Sequence, residues 1–323
     1  MNVLITSAGR RVSLVREFQF EVNRRFGKGK VFACDLNPQL SPACQISDGY
    51  FQVPPVDHNN YIEKLTNICL ENKIGIIIPT IDPELLIFAN NKVKLLEKGI
   101  RVIISDPTFI SMCRDKRLTH QFFDEYGITR AEDIDMEHPS YPIFVKPFDG
   151  SCSVGTFLIQ DKAGLVTLDL GDPKNMYLEY FDQSAHNEFT VDMYYNRKSE
   201  LTCCIPRRRI EVRSGEVNKG VTQKNFLVTY IYEKLKLVPG VFGCINLQVF
   251  VNVHTQKVIG VEINPRFGGG YPLSYFAGGN FPKWIIDEYI DGINIEYSDK
   301  WEDKLLLLRY DEEVIIQNFE ERN

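Results

Sequence analysis

Strand-sized apolar runs alternate with helical patterns over the first hundred residues, and this alternation limits the possible folds more than any other feature of the sequence. The connections between the runs are short, and a β-α-β-α-β order of this kind favours an open, parallel, doubly wound sheet. We therefore predict a Rossmann-like α/β domain over residues 1–107, in which Asp82 is the N-cap of the last helix. The predicted strands are 3–6, 31–35, 75–79 and 101–104, and the predicted helices are 12–25, 61–72 and 83–98.

The pattern changes after Asp106 and Pro107. A helical stripe ends at Gly127, and the apolar runs beyond the following polar linker have the alternation of antiparallel strands. We place a domain boundary near residue 107 and a softer one near residue 185, so the rest of the chain falls into segments 108–185 and 186–323. The predicted strands of these segments are 143–147, 156–160, 176–181, 189–195, 245–253 and 258–264.

The charge balance argues against a protein that binds nucleic acid or an anionic membrane through its overall charge. The 323 residues include 37 Lys and Arg against 43 Asp and Glu, a net charge of −6, although a local basic patch can still hold a phosphate. No apolar run approaches the ~20 residues of a membrane span, and the first residues lack a signal-peptide pattern. Eight scattered cysteines without a C-x-x-C pair favour a reduced, cytoplasmic protein over a zinc site or a disulfide framework.

The turn after the first strand is one candidate binding site. Gly9 precedes Arg10 and Arg11 at the start of a predicted helix, where free N–H groups attract anions. Asp35 follows at the distance of the ribose-binding acid of a dinucleotide fold, but one glycine stands where G-x-G-x-x-G has three. Three interpretations stay open: a dinucleotide site, a contact with an anionic group of a substrate, and a turn with only a structural role.

A lysine followed by a loop of glycines and serines is a second candidate. Lys146 lies on a predicted strand, and the loop from Gly150 to Gly155, which includes Ser151 and Ser153, leaves main-chain N–H groups open to phosphate oxygens. It is not a Walker loop, because no Gly-Lys-Ser/Thr follows and the next segment reads as a strand. The loop predicts either a nucleotide lid or an ordinary turn.

The runs 245–250 and 258–266 carry the most informative pattern. Side chains alternate along a strand, so Glu262 and Asn264 share one face while their apolar neighbours point to the other. A hairpin with an odd-length turn would place Gln248 opposite Glu262 on that face. One carboxylate and two amide oxygens would then converge, and such hard ligands suit Mg²⁺. We predict a metal site here, with a solvent-exposed polar face as the alternative.

A basic stretch from Pro206 to Gly220 is a further candidate. Arg207 and Arg209 share one face of an extended chain, as a clamp for a carboxylate or a phosphate requires. The stretch lacks the interleaved aromatic side chains of a site for single-stranded nucleic acid. We favour contact with a substrate or a phosphate, and a solvated face and nucleic-acid binding are the alternatives.

One ordered set of motifs runs through residues 107–310. It comprises Asp115-Lys116, Val145-Lys146-Pro147, Gly150 to Gly155, Glu179-Tyr180-Phe181, Glu188-Phe189-Thr190-Val191-Asp192, Gln248 and Glu262-Ile263-Asn264-Pro265-Arg266. This set resembles the ATP-grasp superfamily, and most of all the synthetase units of the carbamoyl phosphate synthase large subunit and their short, single-unit relatives. The resemblance implies a two-lobed α+β ATP-grasp fold that follows a pre-ATP-grasp parallel-sheet domain.

The resemblance implies how a nucleotide is held. Lys116 and Lys146 would contact the phosphates of ATP, and the loop from Gly150 to Gly155 would fold over them. Glu188 would bind the ribose hydroxyls. The residues implied to line the adenine pocket are Glu179, Tyr180 and Phe181.

The resemblance also implies which groups serve the reaction. Gln248, Glu262 and Asn264 match the magnesium ligands, with Mn²⁺ as an alternative ion. Arg266 would meet the transferred phosphate. Beyond the resemblance, our own hypothesis for the reaction has Arg209 help to neutralise the charge of that phosphate, so the expected catalytic residues are Arg266, Arg209 and Asn264. The substrate itself would meet residues outside these motifs, for which our expectations are Gly9, Arg10 and Arg207.

Together these features predict an ATP- and Mg²⁺-dependent ligase that joins a carboxylate to an amine through an acyl phosphate. No Cys-His or Ser-His arrangement is evident, which suits a mechanism of alignment and charge neutralisation. The alternatives are phosphorylation of bicarbonate or carbamate, as in carbamoyl phosphate synthase, and a non-catalytic nucleotide-binding module. We expect small carboxylate and amine substrates and no nucleic-acid or membrane partner, and we leave a homodimer open.

Overall fold

The computed structural model describes residues 1–150, 154–165, 172–182, 184–213 and 215–320. None of the helices in this part of the chain combines the length and the apolar character needed to cross a membrane. The strands are β1 (Asn2–Ile5), β2 (Val31–Asp35), β3 (Tyr50–Gln52), β4 (Ile74–Ile78), β5 (Arg101–Val102), β6 (Thr129–Arg130), β7 (Ile143–Pro147), β8 (Phe157–Ile159), β9 (Asn175–Glu179), β10 (His186–Tyr195), β11 (Leu201–Arg213), β12 (Glu216–Thr222), β13 (Gly243–Asn252), β14 (Val258–Asn264) and β15 (Leu306–Leu308). The helices are α1 (Val12–Phe26), α2 (Pro42–Gln45), α3 (Tyr61–Glu71), α4 (Asp82–Glu97), α5 (Pro107–Arg114), α6 (Lys116–Glu125), α7 (Lys162–Leu165), α8 (Phe226–Leu235), α9 (Tyr271–Phe276) and α10 (Phe281–Tyr289), with a short 3₁₀ helix at Pro38–Leu40.

Two units make up the chain, and they do not follow one another in sequence. The first comprises Met1–Ile104, Asn280–Ile293 and the residues from Leu308 onward, and the second comprises Ser105–Gly279 and Asn294–Leu307. The domain limits predicted above follow chain order, so they do not include the return of the chain to the first unit.

A parallel five-stranded sheet in the order β3-β2-β1-β4-β5 forms the first unit. Val3, Leu4 and Ile5 of the central strand β1 have no exposed surface. Consecutive side chains of a strand point to opposite faces, so both faces of this sheet are covered. The predicted parallel α/β domain is therefore confirmed.

Helix α4 begins one residue earlier than the sequence predicts. Asp82 is its first residue, and the N-cap is Ile81 rather than Asp82. The buried carboxylate of Glu84 accepts the N–H groups of Thr80 at 2.6 Å and Ile81 at 3.2 Å. Glu84, in the first turn of α4, therefore caps the main chain at the start of the helix. The prediction that Asp82 is the N-cap does not anticipate this role of Glu84.

Helix α10 packs in the first unit, although it lies far along the chain. Asn280, just before α10, donates its Nδ2 to Glu21 Oε1 of α1 at 2.6 Å. Arg25, near the end of α1, forms two hydrogen bonds of 2.9 Å with Asp291. These polar contacts connect α1 with both ends of α10.

The second unit contains two sheets. One has seven strands in the order β15-β12-β11-β10-β13-β14-β6, and the other has three in the order β8-β7-β9. The pairs β10–β11, β10–β13, β11–β12 and β13–β14 are antiparallel, and the edge pair β14–β6 is parallel. The antiparallel character predicted for this region is confirmed.

Helix α6 packs closely against β14. An ideal Cβ on Gly260 of β14 would lie 2.7 Å from the ring of Phe123 in α6, so only glycine allows the ring to approach the strand this closely. Phe123 is fully buried with Ile231 of α8 and Leu247 of β13 in the core of this unit. The packing places the helix that begins at Lys116 beside the strand that carries Glu262.

Candidate active site

The hairpin of β13 and β14 brings the predicted metal ligands onto one face. Gln248 is paired with Glu262, and Asn246 is paired with Asn264. Directly opposite residues of an antiparallel pair project to the same side. Gln248 and Glu262 therefore lie side by side, and Asn264 lies in the next pair on the same face. The predicted pairing of Gln248 with Glu262 is confirmed.

A β-bulge, and not the turn, produces this register. The turn between the paired residues Val251 and Val258 spans 252–257, an even number of residues, whereas the prediction assumed an odd number. Val249 pairs with Gly260 and the next pair is Gln248 with Glu262, so Val261 is the extra residue. The bulge restores the pairing that the even turn alone would have shifted.

Hydrogen bonds orient the side chains of this face. Asn264 donates its Nδ2 to Glu262 Oε1 at 2.9 Å, and its Oδ1 accepts Arg266 Nη2 at 3.2 Å. Gln248 Oε1 accepts Arg209 Nη1 at 3.4 Å. These bonds link Arg266 to Asn264 and Glu262, and Arg209 to Gln248, and the strand pairing sets the two polar groups side by side on one face.

A second carboxylate, Glu188 of β10, reaches the same group. It forms an ion pair with Arg209, whose Nη2 also donates to the Gly215 carbonyl at 2.9 Å. Burial raises the pKa of Glu188, Arg209 opposes that rise, and the charge of Glu262 adds to it. Glu188 and Glu262 therefore repel each other across this face, and a bound cation would relieve the repulsion.

The donor set fits a magnesium ion. The described residues contain no group of three or more His, Cys, Asp or Glu that could hold a metal, so a cation here must rely on amide oxygens as well. Gln248, Glu262 and Asn264 offer hard oxygen ligands, and Mg²⁺ accepts a few of these together with water and phosphate oxygens. These three residues would hold the ion.

Two lysines approach the hairpin from other elements. Lys146 of β7 is 8% exposed. Burial and, to a lesser extent, the charge of Lys116 lower the pKa of its ammonium group, Glu262 and Asp133 oppose the change, and the net pKa is about 8. Lys116 donates its Nζ to the Gly150 carbonyl. Lys146 lies within electrostatic range of both Lys116 and Glu262, and two neighbouring cations form a favourable site for a polyphosphate.

The glycine-containing loop is described only at its ends. Gly155 has φ +74°, and a Cβ there would lie 3.1 Å from Pro147 Cγ, so glycine suits this end of the loop both in conformation and in space. Ser151 and Ser153 lie outside the described residues. The expectation that this loop covers phosphates stays a prediction.

An aromatic cluster lies beside Glu188. The Phe181 ring centroid is 6.2 Å from that of Phe250 and 5.3 Å from that of His186, and Glu179 and Tyr180 immediately before it are half-buried. Phe250 was missed in the sequence analysis, although its place two residues after Gln248 on β13 puts it on the same face. The three rings are inclined to one another by 44° to 71°, and the cluster offers apolar ring faces for an aromatic base.

Arg207 differs from its predicted role. It is only 2% exposed, and its Nε and Nη2 donate to Asp192 at 2.6 and 3.0 Å. Arg209, two residues along the strand, is bound to Glu188 instead. The side chain of Arg207 is therefore used inside the protein and does not face a substrate or a nucleic acid.

The turn at Gly9, in the first unit, is closed by its own side chains. Gly9 has φ +47°, and its N–H donates to Asp35 Oδ2 at 2.9 Å. Its carbonyl accepts Ser41 Oγ at 2.8 Å, while Arg10 is exposed. An anion at this turn would have to compete with Asp35 for the Gly9 N–H, which favours the structural interpretation of the turn over the dinucleotide one.

Known protein families match both parts of the chain. The PylC-like N-terminal domain matches residues 3–103, and the family described as ATP-grasp in the biosynthetic pathway with Ter operon matches residues 172–311. A D-alanine–D-alanine ligase of Clostridium botulinum strain Loch Maree is 32% identical over 113 residues, which are 31% of this chain and 33% of that protein. The enzyme of strain Okra is 31% identical over the same length. The chain thus covers about a third of the length of these relatives.

Solved structures share the fold at low sequence identity. The biotin carboxylase domain of Hydrogenobacter thermophilus 2-oxoglutarate carboxylase, with MgADP, ADP and bicarbonate, has a TM-score of 0.70 at 15% identity, over 94% of this chain and 72% of that one. N5-carboxyaminoimidazole ribonucleotide synthetase from Thermotoga maritima has a TM-score of 0.62 at 19% identity, over 94% and 78%. The corresponding Staphylococcus aureus enzyme, with ADP, has 0.67 at 17%, over 88% and 76%.

The fold and these matches agree. Residues 172–311 match a family of the ATP-grasp superfamily, residues 3–103 match the N-terminal domain of PylC-like proteins, and the chain shares its fold with a biotin carboxylase domain. ATP with Mg²⁺ is the standard cofactor of that superfamily, in accord with the nucleotide complexes named above.

Proposed function

We propose that this protein is an ATP- and Mg²⁺-dependent ligase that joins a carboxylate to an amine through an acyl phosphate. The observation that carries the proposal is the meeting of Gln248, Glu262 and Asn264 on one sheet face with the buried Lys146 in electrostatic range. Oxygen ligands for a divalent cation and cations for a polyphosphate are the two requirements of phosphoryl transfer from ATP.

The chemistry needs no covalent nucleophile from the protein. A carboxylate oxygen of the substrate attacks the γ-phosphorus of ATP, and ADP leaves with the electrons of the broken P–O bond. The amine then attacks the acyl carbon of the resulting mixed anhydride, inorganic phosphate leaves, and the new amide nitrogen loses a proton to solvent. The protein supplies alignment and charge neutralisation.

Each residue of the site has a part in this proposal. Lys146 and Lys116 bind phosphate oxygens, and Glu188 accepts the ribose hydroxyls once Arg209 turns from it toward the transferred phosphate. Arg266 binds the same phosphate from the other strand. Magnesium, held by the amides and the carboxylate of β13 and β14, would supply charge neutralisation at the phosphates.

The aromatic cluster supports the placement of the base. Phe181 and Phe250 lie next to Glu188, so a ribose at Glu188 would bring its base onto these rings. Glu179 and Tyr180 would then read the edge of the adenine through their main-chain groups.

The relatives support two substrate classes. The likeness to D-alanine–D-alanine ligases favours a carboxylate and an amine that are both amino acids or close analogues. The likeness to a biotin carboxylase domain bound to bicarbonate favours phosphorylation of bicarbonate as the second candidate. A carbamoyl phosphate synthase-like role belongs to this second class, and a non-catalytic nucleotide-binding module is the remaining alternative.

An assay of ADP release tests the proposal. Purified protein with MgATP is supplied with amino acids, small carboxylates and bicarbonate in turn, with hydroxylamine present to trap an activated acyl group. ADP release that depends on one organic acid, together with its hydroxamate, supports the ligase and identifies its first substrate. Release that depends only on bicarbonate supports the second candidate, and nucleotide binding without release under any condition contradicts both enzymes.

A further inference from the structure

One buried carboxylate joins four elements of the second unit. Asp192 of β10 has no exposed surface, and Oδ2 accepts Arg207 Nε at 2.6 Å and Ser274 Oγ at 2.5 Å. Its Oδ1 accepts Arg207 Nη2 at 3.0 Å and Asn246 Nδ2 at 2.7 Å. The donors come from β11, β13 and α9, so a single side chain on β10 holds all three of these elements.

The same donors support the loop that follows the candidate metal ligands. An ideal Cβ on Gly268 would lie 2.2 Å from Asn246 Oδ1, and one on Gly270 would lie 2.3 Å from Arg207 Nη1. No side chain fits at either position, because the polar groups held by Asp192 already fill the space. The loop main chain therefore rests directly on these groups, only a few residues beyond Arg266.

We propose that Asp192 is a positioning residue for the reaction, and that it acts by fixing the loop 265–270 and with it the side chain of Arg266. Asn246 is also the strand neighbour of Asn264. The group around Asp192 therefore contacts the chain on both sides of Arg266, at Asn264 before it and at Gly268 and Gly270 after it. This inference rests on the proposed function for its chemical consequence, but the ordering of the loop can be measured without any turnover.

The physical reason lies in the burial of the ion pair. Asp192 has no exposed surface, so water cannot replace a donor that moves away from its carboxylate. Each lost donor would leave a buried hydrogen bond unsatisfied, and the free-energy cost of that loss keeps the donors in place. Arg207 makes two such bonds with a fixed fork geometry. The three donor side chains are thus confined, and the glycine backbone that lies against two of them is confined with them.

Ser274 offers the mildest way to weaken this arrangement. Ser274→Ala removes one hydroxyl donor from α9 and leaves the pair of Asp192 with Arg207 intact. Ser105→Ala is the matched control: Ser105 is also fully buried in this unit, and its Oγ accepts the N–H of Phe242 at 3.1 Å, away from the loop. Asp192→Asn is the harsher variant, since it leaves the charge of Arg207 buried without its acid.

Hydrogen–deuterium exchange of peptides that span 266–270 is the first measurement, on protein without nucleotide. We expect exchange to accelerate about tenfold or more in Ser274→Ala, the effect of losing a hydrogen bond to a charged group, and to change less than about twofold in Ser105→Ala. Unchanged exchange in Ser274→Ala overturns the inference, whatever the activity of the protein.

The second measurement is steady-state turnover with the acid identified by the ADP-release assay. We expect kcat to fall about tenfold in Ser274→Ala, with the KM for ATP within about twofold of wild type because the base and ribose contacts lie elsewhere. Faster exchange with unchanged kcat also overturns the positioning role. A wild-type protein that releases no ADP refutes the proposed function instead, and the exchange result then decides separately whether Asp192 orders the loop.

Discussion

Gln248 and Glu262 face each other across β13 and β14 only because Val261 bulges between two registers. Without the bulge, the pairing of Val249 with Gly260 would continue unchanged along the two strands and would set Glu262 opposite Leu247. The carboxylate would then point to the face on which the fully buried Leu247 lies. One extra residue therefore moves an acid from the core side of the sheet to the polar side.

Glu262→Gln should lower the rate of ADP release on the order of a hundredfold, because it removes the charged member of the candidate ligand set. The change keeps the volume and the acceptor for Asn264, so the unfolding free energy should stay close to that of wild type. Glu233→Gln on the exposed side of α8 is the control. Turnover of the Glu262 variant at the wild-type rate under saturating Mg²⁺ would show that this carboxylate holds no catalytic ion.

Lys146→Met should weaken nucleotide binding about tenfold to a hundredfold, the cost of losing one charge-assisted hydrogen bond to a phosphate. The flexible methionine side chain fills most of the same buried space, and burial already disfavours the charged form of Lys146. The free energy of unfolding should therefore stay close to that of the wild type. Calorimetric titration with MgADP measures the affinity. Lys198→Met, at an exposed position, is the control, and equal affinity in both variants contradicts the role of Lys146.

His120 of α6 should make the protein less stable in acid. Burial, and after it the charges of Lys146 and Arg130, lower the pKa of His120 from 6.5 to about 4, against the opposing effect of Asp133 and Asp124. The unfolded chain therefore binds a proton at His120 more readily than the folded protein does. The free energy of unfolding is unaffected by His120 above pH 6.5, and it falls by a total of about 3 kcal/mol as the pH decreases to 4 and below.

His120→Leu removes the titrating group from a position that is 4% exposed and where neither ring nitrogen has a hydrogen-bond partner in the described structure. Urea unfolding at pH 7 and pH 4.5 should show that the wild type loses about 2 to 3 kcal/mol more than this variant between the two conditions. The same substitution at the exposed His254 should leave the wild-type pH dependence in place. Equal losses in the wild type and in His120→Leu would mean that His120 is not held neutral by the fold.

The sequence was sufficient for the parallel sheet and for the order of the site motifs. Continuous apolar runs at β1 and β4, and alternation at β14, report burial directly, and strands 31–35, 143–147 and 258–264 have the predicted bounds. Local patterns carry this information because a strand between two covered faces must be apolar throughout.

Contacts distant in sequence could not be predicted in this way. Arg207 and Arg209 have the same spacing signal, yet one pairs with the buried Asp192 and the other with Glu188. The return of α10 to α1 depends on side chains more than 250 positions apart, such as Asn280 and Glu21. A helical pattern shows which face is apolar, but it does not name the partner of that face.

Gly260→Ala tests how closely α6 must approach β14. The added Cβ would lie 2.7 Å from the Phe123 ring, and the overpacking should lower the unfolding free energy by about 1 to 3 kcal/mol. Because Lys116 begins the same helix, a displaced α6 should also weaken MgADP binding.

A double-mutant cycle with Phe123→Leu measures the clash itself. The smaller side chain makes room for the methyl group, so the two changes together should be less destabilising than the sum of the single ones by about 1 kcal/mol or more. Gly75→Ala in β4, where a Cβ would meet only the side chain of Met1 at 3.3 Å, is the control and should change stability by less than about 0.5 kcal/mol. Strictly additive effects at Gly260 and Phe123 would mean that α6 does not depend on this glycine to reach the strand that carries Glu262.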